Sequence, residues 1–215
     1  MSGEIVLYLE RRGRDSYDRP ELLYQALLDY THRTGRNISA SVMETIRSGG
    51  LVHYIRKGPW GKPFLNSPFE DIYYSFSHSG NFEAVLVADH VVGLDIEDSA
   101  RREARKTENL IKIAERFFTE EEFKWVRSGA KGKLLTSGRK PDIQRAFFEI
   151  WTAKESYVKY TGKGLTHGLH NFSVLEELDD VLIEQIHIDQ APELFCSCCI
   201  PLRSKADNVT IKYYD

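Results

Sequence analysis

The run Phe148-Glu149-Ile150-Trp151-Thr152-Ala153-Lys154-Glu155-Ser156-Tyr157-Val158-Lys159-Tyr160 constrains this chain more than any other stretch, because it reads as one helix with charge at the edge of its apolar face. At about 100° per residue, Phe147, Ile150, Trp151, Tyr157 and Val158 share a broad arc that should be buried, while Glu149, Thr152, Ala153, Ser156 and Tyr160 fall opposite. The periodicity predicts a helix from about Ile143 to Thr161, stopped by Gly162, a residue suited to a left-handed C′ position. Glu155 and Lys159 are spaced i,i+4 and sit with Phe148 and Trp151 at the border between core and solvent. An isolated pair of this kind contributes only about 0.3 kcal/mol and needs no functional reason. A second acidic cluster, Gly93-Leu94-Asp95-Ile96-Glu97, gives the pair something to act with.

Asp95 and Glu97 close an apolar run read as a strand, so at i,i+2 they project from one face. Two carboxylates on one side repel, and one is protonated unless a cation compensates both. A divalent oxygen-ligand ion, Mg²⁺ foremost, suits one or two carboxylates together with substrate phosphates. A bare Asp-x-Glu is equally at home where a strand runs into solvent. If the helix packs across the strand's end, Glu155 completes a three-carboxylate site.

The 215 residues, 41% hydrophobic and 12% aromatic, suffice for one large domain or two small ones. A formal charge of -3 gives no chain-wide basic field, which disfavours a nucleic-acid partner. The apolar run Ile5 to Leu9 is unflanked by basic residues and too short for a signal peptide, and no stretch approaches about 18 apolar residues. The expected protein is cytoplasmic and does not engage a membrane. Cys196, Cys198 and Cys199 lie together among apolar neighbours, without partners for a disulfide framework or a zinc site, and read as buried strand residues.

Along the chain, Ile5 to Leu9 reads as a strand, Pro20 as an early helical residue, and a second helix starts after Ser39. Leu51 to Arg56 reads as a strand, followed by the loop Gly58-Pro59-Trp60-Gly61-Lys62-Pro63, which suits either a flat ligand or a plain connection. Ile72 to Phe76 is a short strand delivering Ser77-His78-Ser79-Gly80 at its end, where His78 is a candidate ligand contact. Phe82 to Ala88 and Val91 to Ile96 suggest a hairpin across Asp89-His90.

Further on, Leu110, Ile113, Ala114 and Phe117 have helical spacing, and Thr119 with Glu122 forms a capping box flanked by Phe118 and Phe123. Capping alone accounts for Glu122. The Lys131 to Lys140 segment is basic and Gly-bearing, suited to a solvated loop or an acidic partner. Phe172 to Leu175, Val181 to Ile188, Leu194 to Ile200 and Val209 to Tyr213 read as strands of an antiparallel sheet. Helix-rich then strand-rich segments occur twice, which predicts an α+β fold of two tandem similar halves, residues 1–90 and 91–215, each an antiparallel sheet packed with helices.

The ordered set Gly61-Lys62-Pro63, Ser77-His78-Ser79, Gly93-Leu94-Asp95-Ile96-Glu97, Phe117-Phe118-Thr119-x-x-Glu122, Trp151-x-x-Lys154-Glu155-x-x-x-Lys159 and Gly162-Lys163-Gly164 resembles the 4′-phosphopantetheinyl transferases, specifically the monomeric surfactin-synthetase-activating type. The resemblance implies transfer of the 4′-phosphopantetheine group of coenzyme A to a serine of an apo acyl, peptidyl or aryl carrier protein, releasing adenosine 3′,5′-bisphosphate. It implies that Asp95, Glu97 and Glu155 hold Mg²⁺, that Lys154 and Lys159 lie near the phosphates, and that Gly61, Lys62 and Pro63 border the adenine. His78, with Ser77 alongside, would reach the nucleotide's phosphates; Glu155 or Glu122 would take the serine proton, with Lys159 stabilising developing charge. The N-terminal half would then carry nucleotide contacts, and the C-terminal half the carboxylates and catalytic helix.

Two departures stand out. The family's Asn two residues before the Ser-His pair is Ser75 here, and the basic segment that grips the 3′-phosphate has no clear match, leaving Arg33, Arg36, Arg56 and Lys57 as candidates by charge. A module that binds coenzyme A or a carrier without catalysis is the alternative. The absence of a G-x-x-x-x-G-K-[ST] loop disfavours the commonest nucleotide phosphotransferases.

Overall fold

Strands with two apolar faces and helices with one sort the chain into two β-layers, with helices outside each. The computed structural model describes residues 4–12, 19–100, 107–129, 142–164, 168–204 and 209–214. The first part runs β1 (Ile5–Arg11), α1 (Arg19–Arg33), α2 (Ala40–Arg47), β2 (Ile55–Lys57), β3 (Pro63–Leu65), β4 (Tyr73–Ser79) and β5 (Phe82–Ala88). The second runs β6 (Gly93–Asp98), α3 (Thr107–Phe117), α4 (Glu120–Arg127), α5 (Ile143–Thr161), β7 (Val181–Gln185), β8 (Leu194–Pro201) and β9 (Val209–Tyr214).

One sheet has the order β4-β5-β1-β9, another β6-β8-β7, and β2 and β3 form a separate hairpin. Apart from the β2–β3 hairpin and β9, each half is a strand, then helices, then two strands, with the first strand antiparallel to the last: β1 on β5, and β6 on β8. The tandem α+β organisation is therefore present as a repeated topology. The sheets share a core in which Leu7, Leu9, Ala84 and Leu86 meet Leu94, Ile96, Cys198 and Ile200. The alternate residues Val6, Tyr8, Val85 and Val87 pack under Leu23, Leu27 and Tyr30 of α1. Helices α3 to α5 bury Leu110, Val126, Phe147, Phe148 and Ile150 together. The three cysteines are buried and free in β8, and burial pushes the Cys198 thiol up to about 12.

Local chemistry fixes the helix ends. Ser39 accepts the Val42 N–H at the start of α2, and Thr119 and Glu122 close a reciprocal capping box on α4. Gly162 ends α5 at φ 68°, where a side chain would be strained.

Several expectations need correcting. Residues 50–54 are a 3-10 turn, so of the expected Leu51 to Arg56 strand only Ile55 and Arg56 are extended, in β2. β5 turns back onto β4, not onto β6; β6 belongs to the other sheet, so there is no hairpin across Asp89-His90. The Ser77-His78-Ser79 segment is inside β4 rather than beyond it. Phe172 to Leu175 is not a strand and follows a 3-10 turn at Leu169–Asn171. β9 does not extend the second sheet but pairs in parallel with β1 of the first. Helix α5 is buried on both arcs: Thr152, Ala153 and Ser156 are as covered as Ile150 and Val158 because they face β6 and β8. The basic Lys131 to Lys140 segment lies outside the described residues.

Candidate functional site

The site forms where the two halves meet. β4 and β6 do not pair backbone to backbone in either sheet; instead, alternate serines of β4 serve the N–H groups along β6. Ser75 Oγ accepts from Leu94 N at 2.9 Å, Ser77 Oγ from Ile96 N at 3.2 Å, and Ser79 Oγ from Asp98 N at 3.0 Å. The period of two places all three hydroxyls on one face of β4. The same hydroxyls donate onward, Ser77 to Asp95 Oδ1 and Ser79 to Glu97 Oε2, each at 2.8 Å.

Helix α5 closes over this seam. Gly93 admits it, since a Cβ there would lie 2.0 Å from the Ser156 carbonyl oxygen. The close approach brings Lys159 Nζ to 2.7 Å from Asp95 Oδ1 and 2.9 Å from Ser77 Oγ. Glu155, one turn earlier, has its pKa pushed up to about 7, first by burial and then by Asp95, with Glu97 adding and Lys159 opposing. The acids expected from the sequence thus share one electrostatic neighbourhood.

Asp95 Oδ2 is buried and accepts no hydrogen bond. Such an orphaned carboxylate oxygen beside two further acids fits a hard divalent cation, which takes one or two carboxylates and completes its shell with water and phosphate oxygens. Among the described residues no three His, Cys, Asp or Glu side chains are grouped to hold a metal by themselves. Lys159 holds the other Asp95 oxygen, Oδ1, on the side of α5.

Beside these residues lies a cleft of about 350 Å³ lined by Gly61, Lys62, Pro63, Ser75, Phe76, Glu155, Lys159, Gly162 and Gly164. It adjoins a larger cleft of about 650 Å³ between the β2–β3 hairpin and β4. Lys62 fixes the shared wall: its Nζ donates to Tyr160 O at 2.9 Å and Val92 O at 3.3 Å, capping the last turn of α5. Burial pushes its pKa down to about 8. The loop thus meets α5 through Lys62, with Gly61 and Pro63 on the cleft wall.

Other candidates are placed differently from expectation. Lys154 is not near the cleft: it is 0% exposed, and its ammonium donates to both Glu122 oxygens and to Phe172 O. Burial pushes its pKa down, with Glu122 opposing. Glu122, also 0% exposed, additionally accepts from Thr119 N and Val174 N, so it is a structural hub rather than a base facing the cleft. Ser77 is buried with its hydroxyl committed to Asp95, Ile96 and Lys159, whereas His78 faces the other side of β4 and is exposed beside Phe76. Strand alternation therefore separates two residues expected to act together. Of the 3′-phosphate candidates, Arg33 pairs with Glu4 and Arg36 with Asp71, while Arg56 donates to the backbone oxygens of His53 and Ile55. The role of Ser79 was missed, although three serines at period two on one strand were its visible signal.

Residues 91–210 match the family model described as the 4′-phosphopantetheinyl transferase superfamily, a span that holds Asp95, Glu97, Glu155 and Lys159. The chain belongs to this superfamily. It is 37% identical over 166 residues to "4′-phosphopantetheinyl transferase gsp" of Aneurinibacillus migulanus, covering 73% of this chain and 61% of that protein. It is 32% identical over 116 residues to a 4′-phosphopantetheinyl transferase of Bacillus subtilis, covering 54% and 44%, respectively. A third relative, "4′-phosphopantetheinyl transferase psf-1" of Bacillus pumilus, is 32% identical over 114 residues, covering 53% of this chain and 41% of the relative. The matched part of the chain thus spans between 41% and 61% of these curated transferases. No described helix is long and apolar enough to cross a membrane.

Proposed function

We propose that this chain transfers the 4′-phosphopantetheine group of coenzyme A to a serine hydroxyl of an apo acyl, peptidyl or aryl carrier protein, releasing adenosine 3′,5′-bisphosphate. The observation that carries the reading is the convergence of Asp95, Glu155 and Lys159 beside a cleft walled by Gly61 to Pro63 and Gly162 to Gly164. Kinship with named transferases supports the reaction class.

The chemistry asks little of the protein beyond positioning, charge and a proton acceptor. The serine oxygen attacks the β-phosphorus of coenzyme A, and a new P–O bond forms as the bond to the bridging oxygen breaks. The electron pair leaves on the 5′-phosphate of adenosine 3′,5′-bisphosphate. Glu155 accepts the serine proton, directly or through water, from its place on the cleft wall one turn from Lys159. Glu122 has both oxygens engaged in the core and is not used. Lys159 offers positive charge to the pyrophosphate from its place beside Asp95. Asp95, with Glu97 and Glu155 as neighbours, would hold Mg²⁺, which when bound neutralises charge developing on the phosphates. Gly61, Lys62 and Pro63 supply the wall for the adenine end.

The test is intact-protein mass of several apo carrier proteins after incubation with this protein, coenzyme A and Mg²⁺, with a chelator control. A metal-dependent gain of one phosphopantetheine is the expected result. Coenzyme A binding without addition to any carrier would support a non-catalytic binding module instead.

A further inference from the structure

We propose that Ser77 and Ser79 are positioning residues whose hydroxyls set the spacing and orientation of the Asp95 and Glu97 carboxylates across the seam between the halves. This inference rests on the reading of those acids as a divalent-cation site.

The two strands are in matched register: Ser77 bonds Asp95 and Ser79 bonds Glu97, each pair 18 residues apart in sequence. Each serine also accepts the N–H of the residue just past its acid, Ile96 or Asp98. Each hydroxyl is therefore held by the β6 backbone at one end and aims its proton at a carboxylate at the other. A hydroxyl has one donor and two acceptor sites, and Ser77 uses all three once Lys159 is counted. Its orientation is fixed. The effect on Asp95 is selective: Oδ1 receives both Ser77 and Lys159, leaving Oδ2 as the oxygen with no partner. Carboxylate ligands held by outer hydrogen bonds lose about 10–100-fold in metal affinity when those bonds are removed. The first half thus contributes to the ion site without supplying a ligand.

Ser75 is an internal control, because it caps Leu94 N in the same way but makes no bond to an acid. Removing any of the three hydroxyls leaves one backbone N–H of β6 unserved, so that loss is common to all three variants. Only loss of Ser77 or Ser79 should change metal affinity.

The experiment is direct titration of the full chain with Mn²⁺ by electron paramagnetic resonance, with and without coenzyme A, for wild type, Ser75→Ala, Ser77→Ala, Ser79→Ala and Ser79→Thr. Without coenzyme A, the expected result is a Kd raised about 10–100-fold for Ser77→Ala and Ser79→Ala, near wild type for Ser75→Ala, and restored by Ser79→Thr. Thermal unfolding of each variant shows that the comparison is between folded proteins. Equal Mn²⁺ affinity in all five proteins, equal weakening in Ser75→Ala, or no Mn²⁺ binding by wild type would each overturn the proposal. A wild type that binds Mn²⁺ yet modifies no carrier would refute the transferase reading while leaving the positioning role standing.

Discussion

Lys154 Nζ lies 2.7 and 2.8 Å from the two oxygens of Glu122, 32 residues earlier in the chain, and neither side chain is exposed. This pair ties α4 to α5, while Lys159, five residues on, pairs with Asp95 at the edge of the cleft. Two lysines of one helix therefore do different work. Removing one partner of a buried pair strands the other charge, at a cost of about 3–5 kcal/mol. Lys154→Met and Glu122→Gln should each lower unfolding free energy by roughly that amount, with the double variant losing less than the sum. Lys159→Ala should cost less stability than either, because Lys159 is partly exposed and Ser77 still donates to Asp95, yet abolish transfer. Urea unfolding beside a carrier-modification assay separates the two.

Glu155 should give the metal-free protein a distinctive pH dependence. Its folded pKa of about 7 lies above the ordinary carboxyl value of 4.5, so the folded state holds the proton more tightly. Stability from this group is therefore full below about pH 4.5 and falls as pH rises to about 7. Measured in a chelator, the difference in urea midpoint between wild type and Glu155→Gln should shift against wild type across that window and level off above it. A pH-independent difference would mean that Glu155 is not held in this state. Glu155→Gln should also abolish transfer while remaining folded.

Lys62 should matter for both the cleft wall and the end of α5. Its ammonium serves the Tyr160 and Val92 carbonyls, and Lys62→Ala leaves both without that donor. The expected loss is about 1–3 kcal/mol, accompanied by weaker coenzyme A binding as the loop detaches from the helix. Calorimetric titration with coenzyme A reads the second effect, and unchanged affinity would count against the loop as a binding wall.

Gly93→Ala should be among the least tolerated small substitutions. The added methyl would meet the Ser156 carbonyl oxygen at 2.0 Å and Tyr160 N at 2.6 Å, both backbone atoms that cannot move without shifting α5. Overpacking of this kind costs about 1–3 kcal/mol. Because the shift also carries Glu155 and Lys159 away from Asp95, activity should fall further than stability. Denaturation and transfer rate measured on the same preparation test this.

What was legible in the sequence was local. The Ser39 cap, the Thr119–Glu122 box and the Gly162 stop each follow from neighbours within one turn, and each stands where it was read. Pairing partners were not legible: an apolar run shows that Phe82 to Ala88 is a strand but not that it turns to β4, and adjacency made Val91 to Ile96 look like its mate. The contrast between Lys154 and Lys159 was equally hidden, because their partners, Glu122 and Asp95, are distant in sequence. The convergence of Asp95, Glu155 and Lys159 was anticipated because strand period and helix period each set side-chain direction; which lysine reaches Asp95 depended on how α5 settles on Gly93.

The parallel pairing of β1 with β9 joins residue pairs such as Ile5 and Val209, so one rim of the first sheet is covered only by a strand from far along the chain. At ordinary rates of synthesis about 10–40 s separate the making of the two strands. Throughout that interval the β1 rim lacks its β9 neighbour, and an open strand rim is where chains stick to one another. Deleting β9 would leave the cleft residues intact while keeping that rim open for the life of the molecule.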